Sequence, residues 1–341
     1  MSIMVSEEQN MPDKIRVIQY GLGPIGSAVA RHITEHPQLQ LVGGVDIDPA
    51  KVGKDLGEVI GLGRHLGLLV TRTLADTLTR TGADIVTHCT SSYLDTLKPQ
   101  ILEILAAELD IVSTSEELSF PWLAHPKDAD EIDAAAKRAG RTVLATGVNP
   151  GFLMDTLPLT LTAICQRVDR IAIKRVINAT IRRGPFQVKI GCGMSVEEFN
   201  AKMAAGRMGH VGLIESTGMV FDTLGKTLER FETSVEPILA DGPIKTPYVE
   251  VQPGRVRGLE QVAHGYSREG EFLTLTFIAA LDAGDEQDTI TVTGRPNLEV
   301  TLKGTNGDLA TVAIAVNAIK RVRAAAPGLL TMRDLPIVTA W

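Results

Sequence analysis

Two adjacent carboxylates, Glu116 and Glu117, follow a short apolar run at 111–113 and the hydroxyl residues Ser113, Thr114 and Ser115. Acids at the end of a strand can supply a general acid/base, because ligands bind at such ends. Thr114-x-x-Glu117 also fits a helix capping box, which gives Glu117 a structural use and favours Glu116 for chemistry. Ser113-x-x-Glu116 fits the same pattern, so the residues alone leave both acids open. Gly21-Leu22-Gly23-Pro24-Ile25-Gly26 has the G-x-G-x-x-G spacing of a dinucleotide site. Gly21 permits the tight turn, Gly23 a close backbone approach to the pyrophosphate, and Gly26 close packing of helix on strand. The free N–H groups of the helix start then face the phosphate charge. Asp46 follows about 20 residues further on, where an acid binds the adenosine ribose. The expected cofactor is NAD or NADP. Asp46 favours NAD, because its charge repels a 2′-phosphate, while Lys51 and Lys54 soften that choice.

Further polar groups cluster at other strand ends. Thr90, Ser91 and Ser92 can contact the nicotinamide ribose or cap the helix after them. Thr114 is a further cofactor candidate. Gly147-Val148-Asn149-Pro150-Gly151-Phe152 specifies a sharp turn at a domain junction. Asn149 is expected to face the cofactor, and Val148, Phe152 and Met154 to wall a pocket or serve the core. Arg175, Arg182, Arg183 and Lys189 form a basic stretch that can hold a substrate carboxylate or lie solvated. His210 can line the pocket or pack an interface. Asn317 can reach the nicotinamide if a C-terminal helix returns to the first domain. The seven histidines form no metal-spaced pair, and no metal is expected.

These groups need a frame. Residues 15–20, 39–45, 68–71, 85–89, 111–113 and 142–145 read as strands, separated by helical patterns at 24–36, 94–109 and 127–139. Alternating strands and helices predict a parallel sheet covered on both faces. Strands at 171–180, 234–239, 249–251, 272–281, 289–293 and 298–302 have few helices between them, which predicts a largely antiparallel sheet. Helices are expected at 195–205, with a Ser195–Glu198 capping box, and at 213–223. The fold class is therefore α/β: an N-terminal Rossmann domain followed by an α+β domain. The domains are read as a loose tail at 1–14, a dinucleotide-binding domain at 15–150, a substrate and dimerisation domain at 151–303, and a helix returning to the first domain at 304–341.

Composition narrows the partners. The chain has 341 residues, 44% of them hydrophobic, enough for two cores. A net charge of −7 with no basic run argues against nucleic acid or an anionic membrane, and 4% aromatics against a stacking platform for single strands. No apolar run reaches about 18 residues, so no membrane span is expected. Three distant cysteines read as reduced thiols of a cytoplasmic protein.

Several segments together resemble the 2,4-diaminopentanoate dehydrogenases and the related native amine dehydrogenases. They are Val17–Gly26, Ser113–Pro121, Gly147–Phe152, Gln187–Met194 and Gly209–Ser216. The resemblance spans most of the chain. It implies a dihydrodipicolinate reductase-like fold and NAD(P)-dependent oxidative deamination of a primary amine, with reductive amination as the reverse. It places the catalytic glutamate on Glu116, with Glu117 as the alternative: Glu116 would take a proton from the substrate ammonium, and later from the water that attacks the iminium. The implied partners are a small amine, a ketone or aldehyde, ammonia, and a second copy of the chain in a homodimer. The rival readings are another oxidoreductase of the same fold, or a non-catalytic dinucleotide-binding sensor. Neither the His-His-x-x-Lys segment of dihydrodipicolinate reductase nor the lysine that homoserine dehydrogenase places near Glu116 is present.

Overall fold

The computed structural model describes residues 14–206 and 208–341. The tail expected at 1–14 lies, apart from Lys14, outside them. Strand β1 (Ile15–Tyr20) ends on four buried residues and stops at Gly21, whose φ of 87° suits glycine. Helix α1 (Pro24–Glu35) starts at once, with Pro24 in its first turn, where a missing N–H breaks no helical bond. Then come β2 (Leu39–Val45), α2 (Leu56–Val59), β3 (Val70–Thr71), α3 (Leu74–Leu78), β4 (Ile85–His88), α4 (Leu94–Ala106), β5 (Asp110–Ser113), α5 (Pro126–Ala139) and β6 (Thr142–Ala145). Every residue of β4, β5 and β6 is buried, as strands covered on both faces must be.

The second unit runs through α6 (Thr156–Thr162), β7 (Arg167–Asn178), α7 (Gly184–Lys189), α8 (Val196–Ala204), α9 (Leu213–Thr223), β8 (Arg230–Leu239), β9 (Ile244–Lys245), β10 (Glu250–Val251), β11 (Val256–Ser267), β12 (Gly270–Ala280), β13 (Gln287–Arg295) and β14 (Leu298–Lys303). The Ser195–Glu198 capping box opens α8. Six strands form a sheet in the order β14-β13-β7-β12-β11-β8. All its neighbours pair antiparallel except β7 with β12, which run parallel. The sheet is thus mixed, mostly antiparallel. The chain leaves β7 for a long excursion through three α-helices and four strands before β12 returns, and parallel neighbours require such a crossover. Along β7 and β12, Ile171, Ile173, Arg175 and Ile177 alternate with outward residues, as do Leu273, Leu275 and Phe277, and this face is buried.

Helix α10 (Gly307–Arg323) packs against α1, β4, β5 and β6, burying Val312, Ala315, Val316, Ala318, Ile319 and Val322. Strand β15 (Gly328–Leu330) then joins β6. The first sheet is all parallel, in the order β15-β6-β5-β4-β1-β2-β3. Strand order reverses between β1 and β4, so the loops after these strands diverge and open a crevice at the carboxyl edge. Among the described residues, no helix is long and apolar enough to cross a membrane.

Candidate active site

A cleft of 410 Å³ opens at that crevice. The first sheet contributes Gly23, Pro24, Ile25, Thr90, Ser91, Ser92, Thr114, Glu116, Val148 and Asn149. The opposite wall is Arg175, Ile177 and Phe277 from the buried face of the second sheet. Lys189, His210 and the first turn of α10 complete it.

The glycine loop fits a dinucleotide. A Cβ on Gly21 would stand 2.4 Å from the carbonyl oxygen of Cys89, and one on Gly26 would stand 1.9 Å from that of Gly21. Both glycines are demanded by the chain itself. A Cβ on Gly23 would meet nothing within 4 Å, although Gly23 lines the cleft and caps α1 without a side-chain bond. The space over Gly23 and the uncapped N–H groups of α1 are what a pyrophosphate needs. Asp46 ends beside this loop. Its Oδ2 accepts from Leu22 N at 2.8 Å and Lys51 Nζ at 3.0 Å, and its Oδ1 from Asp48 N at 2.9 Å. Burial opposes its ionisation, but these donors together hold its carboxyl below the usual range. Asp46 therefore braces the glycine loop and keeps lone pairs for a ribose hydroxyl.

The two adjacent glutamates part company. Glu117 Oε2 accepts from Leu94 N at 2.6 Å, at the start of α4, with His125 Nε2 3.4 Å away. It caps a helix, but the helix is α4, not its own turn. The Thr114–Glu117 box expected from spacing does not form, because the residues after Glu116 make only a short 3-10 turn, Glu117–Ser119. Glu116 instead lines the cleft. Burial pushes its carboxyl up, opposed by a hydrogen bond from the Ser92 hydroxyl and the charge of Lys189. Ser92 also ties the two loops together, its carbonyl accepting from Ser115 Oγ at 3.1 Å and Glu117 N at 3.2 Å. A raised, half-buried carboxyl facing a cleft is suited to taking and returning a proton.

The second-sheet wall is cationic. Arg175 is 2% exposed and stands across from Asp288, with Nη1 3.4 Å from Oδ1, yet neither of these atoms has a hydrogen-bond partner. A guanidinium stays charged even when buried, and the facing Asp288 carboxylate offsets part of that charge at the cleft wall. Lys189 and Arg183 stand on the same side. His210 lies flat on Phe277, with ring centroids 4.6 Å apart. Burial, then the charges of Lys189 and Arg175, push it down to about 3. It is neutral, and its Nε2 accepts from Asn149 Nδ2 at 2.8 Å, which leaves the buried Asn149 Oδ1 without a partner.

Some residues singled out in the sequence lie elsewhere. Leu22 is buried under the glycine loop. Met154 is fully buried in the second-sheet core, and half-buried Phe152 is outside the cleft lining. Asn317 lies nine residues past Asp308 on α10, roughly 13 Å along the axis, and only the first turn of that helix meets the cleft. There Thr311, which pattern alone did not mark, accepts from Val148 N at 3.2 Å. Ile177 and Phe277 were also unmarked; two-residue alternation from Arg175 and the β7–β12 register put them on the same face. No group of three metal-ligating residues occurs among the described residues.

Residues 152–341 match the family described as the 2,4-diaminopentanoate dehydrogenase C-terminal domain, and residues 15–101 match the dihydrodipicolinate reductase N-terminus. A 2,4-diaminopentanoate dehydrogenase of Acetoanaerobium sticklandii is 33% identical, with 96% of this chain and 95% of that one covered. An amine dehydrogenase of Streptomyces virginiae is 25% identical over 95% and 96% of the two chains. The structure of an amine dehydrogenase from Mycobacterium smegmatis superposes with a TM-score of 0.86 at 26% identity, covering 97% of this chain and 98% of that one.

The glycines give a direct test of the loop. Gly23→Ala is expected to leave stability within about 0.5 kcal/mol, as at an open surface site, yet weaken dinucleotide binding at least about tenfold. Gly26→Ala is expected to lower the melting temperature as well. Calorimetry for binding and thermal melts for stability decide it; a Gly23→Ala protein that binds like wild type removes the pyrophosphate from this loop.

Proposed function

This chain belongs to the 2,4-diaminopentanoate dehydrogenase family, and we propose that it is an NAD(P)-dependent amine dehydrogenase in which Glu116 is the proton-transferring base. The observation that carries this is the half-buried Glu116 carboxyl, raised by burial and facing the same cleft as the open Gly23 loop. The dinucleotide, when bound, supplies the acceptor for the hydride that leaves the amine carbon. Glu116 first takes a proton from the substrate ammonium and frees the amine lone pair. Once that proton has passed to solvent, the regained carboxylate charge stabilises the cationic iminium, and Glu116 takes a second proton as water adds and passes it to the departing ammonia. In reductive amination the same carboxyl returns these protons. Thr90, Ser91, Thr114 and Asn149 are read as cofactor contacts, and Ser92 as the residue that orients Glu116.

The cationic wall favours a substrate that carries its own carboxylate. A diamino acid fits, with its carboxylate on the side of Arg175 and Lys189 and its reacting ammonium towards Glu116. Simple amines leave that wall unused. NAD is the favoured cofactor because Asp46 keeps its charge; Lys51, on Asp46 Oδ2, partly offsets the repulsion of a 2′-phosphate. The free cysteines Cys89, Cys165 and Cys192 fit a cytoplasmic location. A homodimer is supported by the outer face of the second sheet, where Val176, Val262, Thr276 and Ile278 are only half-buried.

Reduced nicotinamide is read by its near-ultraviolet absorbance, with 2,4-diaminopentanoate and a panel of primary amines. Amine-dependent reduction is expected. Glu116→Gln should lower kcat by about 10²–10⁴, and Glu117→Gln should keep turnover. Lys189→Met should lower kcat/KM about 10–100-fold more for the diamino acid than for simple amines, the weight of a charged hydrogen bond, since its effect on Glu116 is common to both. Cofactor binding with no turnover of any amine would move the protein to the sensor reading.

Lys51→Ala leaves the Asp46 charge uncompensated. The KM for NADP is expected to rise about tenfold, with that for NAD little changed; equal changes in both would remove Lys51 from cofactor choice. Light scattering is expected to give a dimer mass, and a monomer overturns that reading.

A further inference from the structure

A third carboxyl stands behind Glu116. Glu215 sits in the first turn of α9 and is 2% exposed, and its Oε2 has no hydrogen-bond partner. Its place is fixed by the backbone. A Cβ on Gly212, the residue before α9, would lie 3.3 Å from the Cβ of Glu116 and 2.5 Å from Cδ of Pro150. The start of α9 is therefore pressed against the loop that carries the proposed base, and α9 also packs on the Glu117–Ser119 turn. Next to Glu215, Ser216 Oγ donates to the buried Asp155 at 2.8 Å, and Asp155 Oδ2 also accepts from Gly151 N at 2.8 Å. This knot fixes the start of α9 against the Pro150 turn.

The charged groups that act on Glu215 are Glu117 and Glu116. Glu117 is faced in turn by His125 from the start of α5, and Glu116 by Lys189 from α7. Among the described residues, no Lys, Arg or His pairs with Glu215 itself. A sealed carboxyl with an orphaned oxygen and two acidic neighbours is costly to ionise.

Resting on the reading of Glu116 as the base, we propose that Glu215 is a positioning residue whose charge state tunes the basicity of Glu116 without touching substrate. While Glu215 holds its proton, Glu116 is the negative charge that meets the bound amine. When Glu215 loses it, the new charge behind Glu116 disfavours a second carboxylate and makes Glu116 hold a proton more tightly, so it becomes the stronger base. Burial, then repulsion from Glu117 and Glu116, pushes Glu215 up to about 8, so the change falls in mildly alkaline solution.

Glu215→Gln keeps the shape and removes the titration. At pH 7 its kcat is expected within about twofold of wild type, because both side chains are then neutral. Between pH 7 and 9 wild-type kcat should climb about threefold more than that of the variant, the Brønsted return on a base strengthened by roughly one pKa unit. Superimposable profiles, or an equal loss at every pH, overturn the proposal. Melting temperatures supply a readout free of turnover. A carboxyl raised from 4.5 to about 8 binds its proton more tightly in the folded than the unfolded chain, so its contribution is full below 4.5 and lost as pH rises to 8. Glu215→Gln should therefore gain on wild type across that window. In a cycle with Glu116→Gln the two effects should be non-additive by an amount that grows with pH; additivity at every pH overturns the coupling. Glu215→Met serves if the Gln variant does not fold, with the same expectations. A wild type inactive on every amine sinks the functional reading alone, since the melting cycle still decides the coupling.

Discussion

A carboxyl that is to take a proton from an ammonium must sit partly out of water, where its proton affinity is high, and still be able to ionise. Too much burial keeps it neutral at every working pH. Too little leaves it a weak base. Glu116 meets this constraint through opposed influences: burial and Glu117 push its carboxyl up, while the Ser92 hydroxyl and Lys189 hold it down. Neighbouring elements are arranged to fix those influences in space. Ser92 links the β4 and β5 loops, Glu117 secures the start of α4, and Asp155 ties the Pro150 turn to α9. Each of these bonds fixes a segment of chain next to Glu116.

The two sheets divide the remaining work. The parallel sheet ends in loops whose glycines, hydroxyls and helix N-terminus suit a dinucleotide, a placement that follows from its strand order. The second sheet offers a flat buried face, and rows of residues two apart set Arg175 and Ile177 beside Phe277. Helix α10 closes the cleft with its first turn while its remaining length serves the core under the first sheet. The loops suited to a dinucleotide and the wall facing them are thus built by different parts of the chain.

Much of this could be read from the residues. The glycine loop and Asp46 were legible because their chemistry is local: turn, helix start and strand end lie within one βαβ unit. The identity of the two sheets followed from the spacing of apolar runs. Strand β11 was not seen, because Gly258 and Gly265 and the polar Glu260, Gln261 and His264 break its apolar pattern, and only pairing with both β8 and β12 makes it a strand. The roles of Glu116 and Glu117 could be guessed but not separated, since the helix that Glu117 caps begins 23 residues earlier in the chain. Asn317 was drawn towards the cofactor by a correct sense that the last helix returns; only the packing angle of α10 decides which turn arrives. Glu215 carried no local signal at all. An acid in the first turn of a helix ordinarily favours the helix dipole and is solvated, and its isolation here is a product of tertiary packing.

The charges of the cleft are laid out with a polarity of their own. Glu116, backed by Glu117 and Glu215, makes one end acidic; Arg175, Arg183 and Lys189 make the other basic, and between them stands a histidine kept neutral by burial and then by the charges of Lys189 and Arg175. A neutral His210 matters because an imidazolium would add charge beside the reacting centre and would destabilise a cationic iminium. Its neutrality also fixes its hydrogen bond: Nε2 can accept from Asn149 Nδ2 only without a proton there, and that bond leaves Asn149 Oδ1 buried without a partner. The basic end thus does more than attract an anion. It adds to the burial that holds a histidine uncharged, and that histidine orients the Asn149 amide through their hydrogen bond.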